Sequence, residues 1–394
     1  MLASAFIASM DFSLTDQQIL LRDTIRQFME AEIRPILREY EREERFPAEQ
    51  IRRLGEMGCC GMLIPEEWGG AEMDTVSYAL MLEEVARVCA STAVALSVTN
   101  SVVAVPIWKH GTDAQKKKYL HRLARGEMIG AFCLTEPQAG SDSANLELKA
   151  VHRDGAYYLS GTKSWVTNGG VCGVYLVFTR TGEEPGARGV TAFLVEPDFP
   201  GFRVSRYEDK MGLHLSRTAE LAFEDCRVPE ENRLGAPGQG LKIALEALDG
   251  GRVGIAAQSL GLAQGAFEAA VKYAKQRRAF GKSISEFQAI QWMLADMQTE
   301  IEAARMLIYR AAWLRDQGTT RPGPPASRAK LYASEMANRV AYKAVQIHGS
   351  SGYSRETDVE RYYRDARVLT IYEGTSEMQR TVIARDLLQR GGGF

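Results

Sequence analysis

The 394-residue chain lacks an excess of either charge, with 48 lysines and arginines against 50 aspartates and glutamates. That balance argues against a dedicated nucleic-acid or anionic-membrane surface, while leaving room for a local basic patch. Cysteine is scarce. The six, at 59, 60, 89, 133, 172 and 226, show no metal-ligand spacing, and the adjacent Cys59–Cys60 pair is awkward for a structural bridge. They read as reduced, mostly buried thiols of a cytoplasmic protein. The five histidines are scattered, so no metal site is expected. No stretch approaches a transmembrane span. The apolar start, 1–10, carries no Arg or Lys and no clean cleavage signal, so it resembles neither a secretory nor a mitochondrial leader, and a true start at Met10 is the simple expectation.

Several nucleotide and hydrolase signatures are also missing. There is no G-x-x-x-x-G-K-[ST] and no G-x-G-x-x-G, and Gly238-Gln239-Gly240 lacks both a third glycine and a preceding βαβ unit. No G-x-S-x-G elbow occurs. Proline is absent between Pro237 and Pro322, which permits long uninterrupted helices there.

Apolar content of 45% and charged content of 25% are those of an ordinary globular protein, and the length calls for two or three packed units. Residues 1–125 read as helical. Thr15 or Asp16 can cap a first helix with Ile19, Ile25, Phe28 and Ile33 at roughly helical spacing. Pro47 opens a second helix, and Ser77–Ala90 reads as an amphipathic helix carrying Glu83, Glu84 and Arg87. From Cys89 to Val105 there is no charge, and small residues dominate. Such a stretch is either a helix buried on every side or one whose small side chains leave space for an apolar ligand.

Over 126–236 short β-rich runs alternate with turn signals, which indicates a small antiparallel β domain or barrel. Over 237–394 apolar residues recur in steps of three and four: Ala256 to Ala274, Phe287 to Ile308, Ala333 to Ile347. Three such seams and a last helix from Glu377 to Leu388 imply a four-helix bundle. Pro322-Gly323-Pro324-Pro325 reads as the sharp link between its second and third helices.

Chemistry-bearing stretches sit at the element boundaries. Phe132 to Asp142 offers hydroxyls and free amides, or is a plain turn. Trp165 and Thr167 share one face of a strand, an aromatic plane beside a hydroxyl, or a core tryptophan followed by a hairpin turn. Arg277 to Gly281 and Gln346 to Ser350 each follow a helix, where a basic residue or a capping glycine is also ordinary. Ile371-Tyr372-Glu373-Gly374-Thr375-Ser376-Glu377 places one carboxylate between an aromatic residue and a glycine. That glutamate is a solvated loop charge or a general base at the mouth of an apolar pocket.

Thr-Glu-Pro-x-Ala-Gly-Ser-Asp (135–142), Trp-Val-Thr-Asn-Gly (165–169), Arg-x-Ala-Phe-Gly (277–281), Tyr-Arg-Asp-Ala-Arg (363–367) and Ile-Tyr-Glu-Gly-Thr-Ser-Glu (371–377), in this order, resemble the acyl-CoA dehydrogenase family. The likeness runs from about Phe12 to Leu388 and is of the short- to medium-chain kind. It implies an N-terminal helical domain, a middle β domain, a C-terminal four-helix bundle, non-covalent FAD, and a homotetramer that passes electrons to an electron-transferring flavoprotein. By the same resemblance, Phe132, Leu134, Thr135 and Ser141 lie along the flavin, with Ser141 also at the thioester. Trp165 flanks the ring and Thr167 bonds near N5. Arg277, Phe280, Gln288, Gln346 and Gly349 serve the FAD of a neighbouring subunit, and Thr375 and Glu377 close over the cofactor. Asp249, Gly250, Gly251 and Arg252 match the segment that contacts CoA, and Tyr372 and Gly374 adjoin the substrate. Ser350 stands where the family often has a second glycine, which weakens the expected backbone contact there.

Glu373 matches the family's catalytic base, which takes the α-proton of an acyl thioester while the β-hydrogen leaves as hydride. Some relatives carry the base just before the arginine of the first bundle helix, but here that position is Gly251. Residues 89–105 hold no arginine to pair a distal carboxylate, so a short or medium apolar acyl chain, straight or branched, is expected rather than a dicarboxylyl one. The alternatives are an acyl-CoA oxidase using O2, a flavin monooxygenase, or a non-catalytic scaffold of the same fold.

Overall fold

The computed structural model describes residues 13–182, 186–318 and 322–389. The segment around Met1 and Met10, Phe12, part of the 182–189 turn and the Gly391–Gly393 tail fall outside them.

Thr15, rather than Asp16, caps the first helix, α1 (Asp16–Phe28). Its hydroxyl accepts the Gln18 N–H while the Gln18 side chain returns to the Thr15 N–H, a reciprocal cap that satisfies two otherwise orphaned donors. Ile25, Phe28 and Ile33 are buried as their spacing requires, but Ile19 is exposed. Six more helices complete this first part: α2 (Leu37–Glu43), α3 (Ala48–Glu56), α4 (Thr75–Val88), α5 (Ala90–Ser97), α6 (Val105–His110) and α7 (Asp113–Ala124).

Helix α4 corrects the amphipathic expectation, since every residue from Ser77 to Val88 is buried, charges included. The charges are matched from elsewhere in the chain. Glu83 receives Arg305 at 2.7 Å and the Tyr309 hydroxyl at 3.1 Å. Glu84 receives Arg26 and Arg87, and Arg87 reaches Glu30 and Glu268. Buried charges persist only when paired in this way.

A short π-helix (Val98–Ala104) joins α5 and α6, and everything from Cys89 to Ile107 is buried. The expectation of no span-like stretch is corrected here. Ala90–His110 has the length and mean hydropathy (1.5) of a membrane span, yet its apolar window lies wholly inside the fold. Asn100 fastens it: its amide donates to the Cys59 carbonyl (2.8 Å) and its side-chain oxygen accepts the Met62 N–H (2.9 Å).

The β part has strands β1 (Gly130–Cys133), β2 (Lys149–Arg153), β3 (Ala156–Thr167), β4 (Val174–Arg180), β5 (Val190–Val195), β6 (Phe202–Tyr207), β7 (Thr218–Pro229) and β8 (Arg233–Leu234). They form one sheet in the order β6-β7-β3-β2-β4-β5-β8, with β1 paired to β4. Most pairings are antiparallel as expected, but β1 runs parallel to β4, and β2 touches β4 in parallel, so the sheet is mixed.

A 37-residue helix, α8 (Gly240–Gln276), opens the last part. A short hairpin of β9 (Arg278–Ala279) and β10 (Lys282–Ser283) leads to α9 (Gln288–Asp316), α10 (Gly323–His348), α11 (Val359–Ala366) and α12 (Ser376–Gln389). The seams predicted on α8, α9 and α10 face the core: Leu260, Ala263, Met297, Ile301, Met336 and Val340 are fully buried. The prolines at 324 and 325 are not a link. They occupy the first turn of α10, where a missing N–H costs nothing. Helices α8 and α10 run side by side in the same direction, with Asp249 beside Gly323 at one end and Tyr273 stacked on His348 at the other, ring centroids 4.2 Å apart.

Candidate active site

Between α11 and α12 the chain makes a turn that sequence alone does not display. Glu373 and Gly374 are successive residues with positive φ, 50° and 91°. This region strains any residue with a Cβ, so surrounding contacts must hold Glu373 there. They are present. The Gln379 amide donates to the carbonyls of Glu373 (3.2 Å) and Gly374 (2.9 Å). The buried Lys330 ammonium donates to the Gly374 carbonyl at 2.8 Å. On one side, Tyr372 donates its hydroxyl to Gln258 (2.5 Å), which in turn holds the Ala90 carbonyl. On the other, Thr375 caps α12 by accepting the Met378 N–H at 3.3 Å.

The turn aims the Glu373 carboxylate at α8. Its Oε2 is buried without a hydrogen-bond partner and lies against Gly251, where an added Cβ would overlap it and also press on Val102. Burial pushes the carboxyl from its ordinary 4.5 up to about 7, against the opposing pull of Lys330 and Arg252. Arg252 is paired with Asp249 at 2.5 Å, so both predicted substrate residues lie together on α8 within one turn of Gly251. Tyr78 and Ser97, hydrogen-bonded at 3.0 Å, close the next turn of α8 at Gly254. The result is a carboxyl near neutrality in its affinity for protons, facing a helix surface of glycine.

The 135–142 stretch is built around a residue that the motif hides. Glu136 is buried and forms an ion pair with the equally buried Lys163 at 2.7 Å. It also accepts the N–H groups of Glu147 (2.5 Å) and Leu148 (3.0 Å), and Lys163 holds the Leu134 carbonyl. Burial alone would raise the Glu136 carboxyl, but Lys163 and those two N–H groups bring it below the usual range. Around this clamp Leu134 is buried, Phe132 and Thr135 are half-buried, and Ser141 is exposed on the rim. Phe132 packs on Phe178 with centroids 4.9 Å apart.

Trp165 has φ of 57° and is 60% exposed, at a point where β3 shifts register against β7. Even so, Val166 points inward while Trp165 and Thr167 face outward, as the alternation implied. Asn168 ties this end of β3 to the core, its amide reaching the carbonyls of Ala95 and Gly130.

Thr375 and Glu377 line an open cleft of about 460 Å³ with Arg367, Asn338 and Ile371. Arg277, Phe280, Gln288, Gln346 and Gly349 are placed elsewhere. They gather at the far end of the bundle, where the Tyr273–His348 stack joins the ends of α8 and α10. All are open to solvent or nearly so, Phe280 94% exposed. Lys330, which touches the Glu373–Gly374 turn, is separated from Gln346 by about 24 Å of helix at 1.5 Å per residue. Within one chain these five do not meet Glu373. Gly349 has φ of 61° and ψ of −137°, which only glycine adopts readily, and open space where a Cβ would stand.

Sequence reasoning missed Lys330, Gln379, Glu136 and Lys163. A signal existed for one of them: Lys330 is three residues before Ala333 on the same seam, a charge at a core position.

An exposed, strained tryptophan beside a hydroxyl, and an arginine-bearing cleft next to buried unpartnered Ser376 Oγ and Gln379 Oε1, suit a large aromatic cofactor with a polar tail, such as a flavin dinucleotide. Residues 15–127, 131–226 and 238–388 match the N-terminal, middle and C-terminal domains of acyl-CoA dehydrogenase. A short-chain specific acyl-CoA dehydrogenase of Clostridium acetobutylicum is 46% identical over 95% of this chain and 99% of its own. Butyryl-CoA dehydrogenase from Megasphaera elsdenii superposes with a TM-score of 0.94 at 45% identity, covering 96% of this chain and all of that one. A chain from a structure described as the electron transferring flavoprotein of Acidaminococcus fermentans gives 0.95 at 47% identity, with coverage of 96% and 100%. The chain belongs to the acyl-CoA dehydrogenase family and is an oxidoreductase acting on the CH–CH bond of an acyl-CoA.

Proposed function

We propose that the protein converts a short- to medium-chain acyl-CoA, straight or branched, to the trans-2-enoyl-CoA, with Glu373 as base and FAD as cofactor. The observation that carries this reading is the buried, unpartnered Glu373 Oε2 held against Gly251.

The ionised carboxylate takes the α-proton of the thioester, and the electron pair left on Cα forms the double bond as the β-hydrogen departs with its own pair. Bound flavin supplies the acceptor for that hydride. The protein's part is geometric and electrostatic. The left-handed turn fixes the carboxylate, and Gly251 leaves the space it points across. Burial raises its proton affinity enough to make it a stronger base once ionised. The backbone N–H of Glu373 serves as a donor to the thioester oxygen, where removing one such donor typically costs roughly 3 kcal/mol of barrier.

Trp165 and Thr167 would flank the flavin ring, with Phe132, Leu134, Thr135 and Ser141 along it and Thr375 and Glu377 over it. Arg277, Phe280, Gln288, Gln346 and Gly349 would serve the cofactor of another subunit in a homotetramer. Asp249, Arg252, Tyr372, Gly374 and Ser141 would hold the acyl-CoA. The similarity to short-chain and butyryl-CoA relatives supports a short acyl chain. The resemblance to the Acidaminococcus chain supports an electron-transferring flavoprotein as the acceptor.

The test is anaerobic bleaching of the flavin by acyl-CoAs of graded length and branching. Glu373→Gln should keep FAD and bind acyl-CoA yet leave the flavin oxidised. Bleaching by the variant at near the wild-type rate would remove Glu373 from the role. Fast reoxidation of the reduced protein in air, without a protein acceptor, would indicate an oxidase instead.

A further inference from the structure

Lys330 has no exposed surface. It sits on α10 among Ala326, Ser327, Ala329, Ala333 and Ser334, all buried and small, where an apolar side chain would cost far less. Burying an ammonium group is expensive unless it is paired. Yet the hydrogen bond described for it goes to a neutral acceptor, the Gly374 carbonyl at 2.8 Å. An ammonium spent on a carbonyl inside a small-residue core calls for a purpose beyond packing.

We propose that Lys330 is a positioning residue for the base, its buried ammonium locking the Glu373–Gly374 turn and holding the Glu373 carboxylate in its proton-accepting form. This rests on reading Glu373 as the base.

The geometry gives Lys330 two levers. It shares the Gly374 carbonyl with the Gln379 amide, which also holds the Glu373 carbonyl, so the turn that aims the carboxylate is pinned from α10 and α12 together. It is also a positive charge beside a carboxylate whose buried Oε2 lacks a hydrogen-bond partner. The charged and titratable groups around that carboxylate are few. Lys330 faces it from α10 and Arg252 from α8, while the Tyr78 hydroxyl on α4 and the Tyr372 hydroxyl also sense its charge. Arg252 is already paired with Asp249. Lys330 also senses Glu377 and Glu335, but burial dominates and brings it down to about 8. Lys330 thus carries its charge through the neutral range in which Glu373 ionises.

Lys330→Met and Lys330→Arg, purified with flavin, separate the alternatives. Single-turnover bleaching with butyryl-CoA is followed across pH. In Lys330→Met the acidic limb should move up by about one unit, a roughly tenfold loss on the acid side that shrinks at high pH. Lys330→Arg, which keeps the charge, should leave the limb in place. An infrared carboxyl titration, taken as the difference from Glu373→Gln, should show the same shift without any turnover. It therefore tests Lys330 even if Glu373 proves not to be the base. A rate reduced equally at every pH with an unmoved carboxyl band would overturn the proposal, as would an equal limb shift in Lys330→Arg. Failure of every Lys330 variant to fold would make it a scaffold residue and overturn the proposal too.

Discussion

The Oε2 of Glu373 rests against Gly251 with no room for a methyl group between them. Carboxylate and glycine, one on the turn before α12 and the other on α8, lie more than a hundred residues apart, yet each limits what the other can be. A side chain at 251 would have to displace the carboxylate, and a carboxylate placed elsewhere would free 251 to carry one.

Gly251→Ala should therefore leave the fold and the flavin content intact while lowering the rate of flavin reduction. A carboxylate moved by about 1 Å costs on the order of 100-fold. Stopped-flow bleaching, with flavin absorbance as the loading control, checks it. A rate within a factor of about two of wild type would mean that the carboxylate is not held by this contact.

Glu373 also makes a prediction about pH and stability. Its carboxyl titrates near 7 in the folded protein and near 4.5 when unfolded. Between those values the folded state holds the extra proton, so raising the pH through this window destabilises the fold. The effect is at most about 3 kcal/mol at 1.36 kcal/mol per unit. Glu373→Gln should thus gain stability over wild type at pH 8 and show little difference at pH 4.5. Urea unfolding at the two pH values measures this. For the same reason, the rate of flavin reduction in wild type should rise as pH passes through about 7.

Removing one partner of the Glu136–Lys163 pair should be costly in two ways. Lys163→Met leaves a buried carboxylate without its counter-charge, a loss of roughly 3–5 kcal/mol. It also frees the Leu134 carbonyl, so the 135–142 loop should loosen and flavin should dissociate more readily. The double variant Lys163→Met/Glu136→Gln should recover part of the stability, because no unpaired charge remains. Thermal melting and flavin release on dilution read the two effects separately.

Much of this architecture was legible because local rules governed it. The Thr15 cap, the uncharged buried helix and the seams of α8, α9 and α10 follow from short-range spacing. Glu373 was legible only through the motif around it. Its spacing says nothing of the positive φ or of Gly251. The α4 charges misled because most of their partners lie far off in the chain, Arg305 as many as 222 residues from Glu83, and periodicity records faces rather than partners. Lys330 escaped for the opposite reason: lysine at a helical position reads as solvated unless the seam is extended back through it. The parallel β1–β4 pairing escaped because strand patterns carry no direction.

The apolar segment 90–110 has a consequence for biogenesis. Two elements that cover it, β1 and α8, come later in the chain, α8 by well over a hundred residues. A ribosome-bound chain that stops short of α8 leaves the α8-facing side of a stretch as apolar as a membrane span without its cover. Such chains ending near residue 235 should be cleaved within 90–110 and captured by hydrophobic-segment chaperones, whereas chains extending past α8 should be protected. The same run of uncharged, buried residues that packs against α8 leaves the unfinished protein dependent on help.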